Sequence, residues 1–316
     1  MIPHNRLTFG AEEVEAVAAV VASGYWAGGP QVAALETALR ETFDREAACV
    51  ASGSSALRLA LSAVGVRPGD EVLVPAYACV AIPNAVAAVG ATPVAGEIEP
   101  ETWTLTPAET TYAIAVHTFG APAAVGYAST IDDAAHGLPR GVPETEATIT
   151  SFYATKLIGG AEGGAVLGPL AETVRDTRDY TDKPLSGARL NDKMNDMEAA
   201  LTLAQLKRLP ELLAARERLA QRYSERLSNV GLPRDVTGRV WYRYAIECED
   251  ARELAARLER HGVIAHPPVE DWRDEAQRDA TPIASRAYER LLSLPLYPTL
   301  TEPEQDRVIA AVEAET

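Results

Sequence analysis

The chain has 316 residues, 47% of them hydrophobic and 23% charged, with a formal net charge of −16. That length supports one large core and a smaller one, and the acid excess argues against a nucleic-acid partner, whose phosphates need a basic face. No run of roughly 18 apolar residues is present to span a membrane, the N-terminus lacks a signal pattern, and the odd, scattered set Cys49, Cys79 and Cys248 fits reduced thiols in a cytoplasm.

In chain order, apolar periodicity predicts helices over 11–22 and 31–42, separated by the turn segment Gly24-Tyr25-Trp26-Ala27-Gly28-Gly29-Pro30. A strand over 47–52 then runs into Ser52-Gly53-Ser54-Ser55, which opens a helix over 55–64 carrying Leu57, Leu59, Ala60, Leu61 and Val64. Glycine and hydroxyl residues at a helix start offer free N–H groups and the positive dipole end to an anion. An ordinary serine N-cap reads equally well there. Further strands are predicted over 71–76, 92–98, 112–118 and 126–131, with a helix over 80–89.

The strand over 126–131 leads into Ile131-Asp132-Asp133-Ala134-Ala135-His136. A carboxylate there can pair with a pyridinium nitrogen and keep it protonated, which makes the ring an electron sink. A helix N-cap aspartate is the plainer alternative. The strand over 148–153 ends in Ser151-Phe152-Tyr153-Ala154-Thr155-Lys156, followed by Gly159-Gly160-Ala161-Glu162-Gly163-Gly164. An amine at the end of a buried strand is partly desolvated and aimed, so it can form a Schiff base with a carbonyl. Most lysines are solvated surface charges, so the case rests on all three elements together. All three fit pyridoxal phosphate.

After a strand over 164–168 the character changes. Helices are predicted over 195–208 and 210–227, then a strand over 240–248, a helix over 251–261 and a last helix over 302–314. This suggests a large domain over 1–209 and a smaller C-terminal α/β domain over 210–316. The alternation in the first part predicts a mostly parallel mixed sheet covered on both faces. Ligands of such sheets sit at the carboxyl ends of the strands, where the three motifs lie.

Other chemistries find little support. No G-x-G-x-x-G follows a strand, no lysine is preceded by glycine as a P-loop needs, and no G-x-S-x-G is present. His261 and His266 lack a second pair of zinc ligands and read as a surface helix end. Any anionic substrate must be drawn by a local cluster, for which Arg189, Lys193 and Arg243 are candidates.

Taken in order, the motifs resemble the DegT/DnrJ/StrS family of pyridoxal-phosphate enzymes, mostly aminotransferases of nucleotide-linked keto sugars. The likeness runs from Gly24-Tyr25-Trp26 through Ser52-Gly53-Ser54-Ser55, Pro68-Gly69-Asp70-Glu71, Asp132-Asp133 and Lys156 to Asn191-Asp192-Lys193-Met194 and Leu292-Ser293-Leu294-Pro295. The resemblance implies a fold-type I transferase in which Lys156 binds the cofactor covalently and Asp133 partners the pyridine nitrogen. It implies that His136 lies near the ring's 3-hydroxyl, and that Gly53, Ser54, Ser55 and Ser151 hold the phosphate. It also implies that Asn191 reaches the phosphate of a second copy, hence a homodimer with shared sites, with glutamate or a similar amino donor and a keto-sugar acceptor.

Three departures stand out. Cys79 occupies the place where the family usually stacks an aromatic residue on the ring, and a thiol covers a ring less well. Lys193 stands where arginine is usual and lacks its bidentate fork. The chain is short, and His266-Pro267-Pro268 matches the family's His-Tyr substrate element poorly. A noncatalytic homologue acting as a binding or regulatory protein is the rival from another class. A sugar dehydratase is the rival within the family, though those members carry histidine where this chain has Lys156.

Overall fold

The computed structural model describes residues 1–124, 129–139, 145–181, 183–184 and 189–316, with the Ser129 side chain left out. The first part is built from α1 (Ala11–Ser23), α2 (Pro30–Phe43), β1 (Ala47–Val50), α3 (Gly53–Ala63), β2 (Glu71–Pro75), α4 (Ala81–Ala88), β3 (Thr92–Gly96) and β4 (Tyr112–Val116). It continues through β5 (Ser129–Asp133), β6 (Ala147–Ser151), β7 (Gly164–Leu167) and α5 (Ala171–Thr177). Helix α6 (Asp196–Arg226) leads to β8 (Tyr244–Glu247), α7 (Ala251–Arg260), α8 (Glu275–Ala280), α9 (Pro282–Arg290), β9 (Leu291–Leu294) and α10 (Glu302–Glu315).

Seven strands form one sheet in the order β1-β7-β6-β5-β4-β2-β3. The pairs β2–β3, β2–β4, β4–β5 and β5–β6 are parallel, and β7 runs antiparallel to both β6 and β1. The mostly parallel mixed sheet expected from the sequence is therefore present. Both faces are covered, and β1 shows why its apolar run is continuous. Ala48 and Val50 pack with α3 and α4 residues such as Leu57 and Ile82, while Ala47 and Cys49 pack with Leu35 and Leu39 of α2 and Leu206 of α6. Alternate side chains of one strand thus enter two different cores.

The structure departs from the expected elements in several places, and the short helices α5, α8 and α9 were not expected at all. The two helices expected over 195–208 and 210–227 are a single helix, α6, with Pro210 inside it. Proline removes one hydrogen bond, to the Leu206 carbonyl. Burial of Leu206, Leu209 and Leu212 around that point offsets the loss. Strand β8 is shorter than the 240–248 expected, and β9 pairs with it although no strand was expected there. The strand expected over 126–131 falls partly outside the described residues, and β5 extends to Asp133.

The C-terminal core joins Leu219 and Tyr223 of α6, Tyr244 and Ile246 of β8, Leu254 and Leu258 of α7, Leu292 and Leu294 of β9, and Val308 and Val312 of α10. Ile2 belongs to this cluster, and its backbone bridges Val263. The segment before α2 is tied to α6 by the buried Asp196, whose carboxylate accepts from the Gly29 and Gln31 N–H groups at 2.7 Å each. Among the described residues, no helix is long and apolar enough to cross a membrane.

Candidate active site

Chain direction puts the three motifs at one edge of the sheet. β1, β2, β4, β5 and β6 all deliver their carboxyl ends there, and the segments that follow them enclose a cavity of about 250 Å³. It is lined by Gly53 and Ser54 after β1, Cys79 after β2, Asp133 and His136 from β5 onward, and Ser151 and Lys156 from β6 onward. Residues far apart in sequence thus meet because parallel strands end together.

Helix α3 begins at this cavity. The Ser52 hydroxyl accepts from the Ser55 N–H at 3.0 Å, a true N-cap. That bond leaves the N–H groups of Gly53 and Ser54 at the exposed start of the helix, as an anion cradle requires. Gly53 is required by space: a Cβ there would lie 2.8 Å from the Ser151 Cβ. Both the N-cap reading and the anion reading of this motif are therefore compatible with the geometry. The Ser55 hydroxyl donates to Asp192 Oδ1 at 3.1 Å, and Asp192 also pairs with Arg58 at 2.6 Å. Ser55 is not among the residues that line the cavity.

Strand alternation decides between the two aspartates. Asp132 points to the opposite face, where its Oδ1 meets His117 Nε2 at 2.6 Å in full burial. Asp133 faces the cavity and accepts from the Ala135 N–H at 2.9 Å. Burial pushes the Asp133 carboxyl up to about 6 and Asp132 adds to that, while the Ala135 N–H, Lys156 and His117 pull it back. His136 keeps a buried Nδ1 without a partner among the described residues, and burial, then Lys156, Arg243 and His117, hold its imidazole well below the ordinary range.

Lys156 is half-buried in the turn beyond β6, where its N–H donates to the Tyr153 carbonyl at 2.8 Å. Its Nζ sits 4.9 Å from the ring centroid of Tyr242, a residue that no local motif marked. Cys79 is exposed and lines the cavity, so no aromatic ring stands at that position. Asn191 is exposed and does not line the cavity of its own chain; its Oδ1 accepts from Lys193 Nζ at 2.5 Å. Of the candidate anion-binding residues, Lys193 pairs with Asp179 and Arg189 with Asp176. Arg243 has no carboxylate partner among the described residues, and its Nε is buried without one.

A covalent cofactor with an anionic tail and a basic ring nitrogen fits this donor set. The amine, the buried carboxylate, the unpartnered imidazole nitrogen and the glycine-walled helix start all line one cavity.

Comparison with known proteins agrees. A family model described as the DegT/DnrJ/EryC1/StrS aminotransferase family matches residues 8–313. The chain is similar to S. venezuelae DesV, solved in complex with a ketimine intermediate, at 30% identity and a TM-score of 0.87, covering 96% of this chain and 94% of that one. A DegT DnrJ EryC1 StrS aminotransferase from Brucella abortus shows 28% identity and a TM-score of 0.87, covering 96% and 95%. NtdA from Bacillus subtilis, solved with bound cofactor PMP, shows 26% identity and a TM-score of 0.84, covering 97% and 82%.

Proposed function

The chain belongs to the DegT/DnrJ/EryC1/StrS aminotransferase family, and on that footing we propose that it moves an amino group from glutamate or a similar donor to a keto sugar carried on a nucleotide. It is an aminotransferase, and its cofactor is pyridoxal 5'-phosphate. The observation that carries the finer reading is the convergence of Lys156, Asp133, His136, Gly53, Ser54 and Ser151 on a single cavity.

In this reading the tasks divide among the side chains, and Lys156 has two. Bound pyridoxal phosphate supplies an electron sink beside the carbon that loses its proton. Lys156 holds the cofactor covalently at rest. Once freed, its Nζ would take the proton from the donor's α-carbon and deliver it to the carbon on the far side of the amine nitrogen, as general base and then general acid. Asp133, buried and facing the cavity, would hold the ring nitrogen protonated by pairing its carboxylate with it. The Gly53 and Ser54 N–H groups and the Ser151 hydroxyl would hold the phosphate, and the Ser55 hydroxyl would join them on leaving Asp192. His136 and Cys79 line the same cavity; His136 would lie near the ring's 3-hydroxyl, and Cys79 would stand against the ring in place of an aromatic side chain. Arg243, lacking an acidic partner among the described residues, is the remaining candidate to receive a substrate carboxylate.

The same proposal includes a homodimer in which Asn191 reaches the phosphate site of a second copy. The exposure of Asn191, and of the apolar Leu7, Phe9, Val14, Val21, Tyr25 and Trp26, supports it. It also keeps the division into 1–209 and 210–316, with α6 spanning both parts, and a cytoplasmic location.

The test is the visible absorbance of the purified protein with pyridoxal phosphate, before and after L-glutamate. A yellow band that bleaches on glutamate supports the donor half-reaction. A yellow protein that ignores glutamate overturns that donor, and a protein that never turns yellow favours a binding-protein role. Gly53→Ala is expected to weaken the cofactor's dissociation constant about tenfold or more, because the added methyl forces Ser151 out of the cradle. Titration of the yellow band measures this.

A further inference from the structure

Tyr242 lies in the chain just before β8, yet its ring is only 5% exposed and stands at the Lys156 amine. Its backbone is held from both parts of the molecule. The buried Arg216 donates from Nη1 to the carbonyls of Tyr242 at 3.1 Å and Leu296 at 3.0 Å. The Tyr242 N–H donates to the Val240 carbonyl at 2.9 Å, and the Val240 N–H to the Gly120 carbonyl at 3.0 Å. At Gly120, with φ of +93°, a Cβ would lie 1.6 Å from the Val240 oxygen, so only glycine lets the two segments approach this closely.

The ring is equally fixed. His136 stacks on it at 4.4 Å with an interplanar angle of 21°, and Phe119 continues the stack beyond His136 at 6.0 Å. Two cations approach the same ring, Lys156 Nζ at 4.9 Å and the Arg243 guanidinium at 5.3 Å. The Thr155 hydroxyl, next to Lys156 in the chain, stands beside the Tyr242 hydroxyl.

We propose that Tyr242 is a positioning residue for Lys156: its ring face aims Nζ into the cofactor cavity, and its hydroxyl offsets the guanidinium of Arg243, so that Lys156 can still take up its proton. The inference rests on the reading of Lys156 as the reacting amine. A ring face attracts an ammonium group, and a ring locked between His136 and a clamped backbone restricts where that ammonium can go. The charge balance runs in the same direction. Burial pushes the Tyr242 phenol up, but Lys156, Arg243, the Thr155 hydroxyl and Arg216 outweigh it and bring it to about 8. The other groups facing this cluster are Asp133, His136 and His117 from the large sheet. His4 stands beyond Arg243, its imidazole pushed down to about 3 by burial, then Arg243 and His266. None of the three imidazoles replaces the phenol's capacity for negative charge. Without the hydroxyl, Asp133 is the one acid of this cluster that still faces Lys156, and the repulsion from Arg243 is less fully offset.

The experiment labels the cofactor-free protein with an amine-selective acylating reagent across pH and reads Lys156 modification by peptide mass spectrometry. Tyr242→Phe keeps the ring and removes only the hydroxyl. The labelling midpoint of Lys156 is expected to move down by about one pH unit, which is about tenfold more reactive amine below the midpoint. Thr155→Val removes the hydroxyl's neighbour and should shift the midpoint in the same direction by less, which keeps the test open if Tyr242→Phe folds poorly. Tyr242→Leu also removes the ring, and should lower kcat by about a hundredfold with little change in KM. Midpoints in Tyr242→Phe and Thr155→Val equal to that of the unaltered protein overturn the inference. A separate arm adds pyridoxal phosphate to the unaltered protein. Protection of Lys156 from labelling supports its covalent role, and no protection overturns the proposed function, whatever the Tyr242 variants show.

Discussion

Lys156→Ala is expected to lower transamination by roughly ten-thousandfold or more while the protein folds and still binds the cofactor. The size follows from losing two tasks at once, the covalent anchor and the acid–base group, each of which contributes orders of magnitude. Folding survives because Lys156 is half-buried and its fixed contact to the turn, the bond to the Tyr153 carbonyl, is made by the backbone. Cofactor binding survives because Gly53, Ser54, Ser151 and Asp133 are untouched. The variant should therefore take up pyridoxal phosphate without the lysine-dependent yellow band and release it on dialysis. Turnover within tenfold of the unaltered protein would remove Lys156 from the mechanism.

Asp133→Asn carries the second large expectation, and its two effects have opposite signs. Activity should fall by about a thousandfold, since the ring nitrogen loses the charge that keeps it protonated. The stability of the cofactor-free protein at pH 7 should rise. Burial first, and then Asp132, raise the carboxyl from 3.8 to about 6 against the pull of the Ala135 N–H, Lys156 and His117. A raised carboxyl favours the folded state only while it is protonated. Its contribution is complete below about pH 4 and is lost as pH climbs through about 6, for a total of about 3 kcal/mol at neutral pH. Asparagine has no such titration and still offers an oxygen to the Ala135 N–H. The variant should melt a few degrees higher at pH 7, and the gap should close toward pH 4. Calorimetry of both proteins without cofactor from pH 4 to 8 measures this. A melting difference independent of pH would mean that the buried carboxyl is not the cause. If the gap does close toward pH 4, pairing with the cofactor's ring nitrogen would account for why the protein keeps so costly an acid.

Much of the candidate site's lining was legible locally because its parts sit where local chemistry changes. An apolar run ending in Lys156, a serine-glycine pair opening a helix, and an aspartate pair after a strand are each signals spanning a few residues. The order of those signals along the chain carried the family resemblance, and the alternation of strand and helix carried the layered sheet. Where the reading went astray, a nonlocal term had won. Pro210 was read as a helix break, but buried leucines on both sides hold α6 together through it. β9 was not anticipated because its four residues become a strand only by pairing with β8 across more than one helix.

The sequence by itself determined the candidate inventory: a lysine just beyond an apolar strand, a carboxylate pair, a helix start of glycine and serines, and no apolar run long enough to span a membrane. These are set by residue identity and by periods of two and 3.6, which a linear chain displays directly. Only the tertiary structure decided that Asp133 rather than Asp132 enters the cavity, because one residue of register on β5 exchanges the two faces. It alone turned the Ser55 hydroxyl toward Asp192, left Asn191 outside its own chain's cavity, and brought Tyr242 to the lysine. Such meetings depend on where parallel strands end and how distant segments pack. That information is spread over the whole core and is written at no single position of the chain.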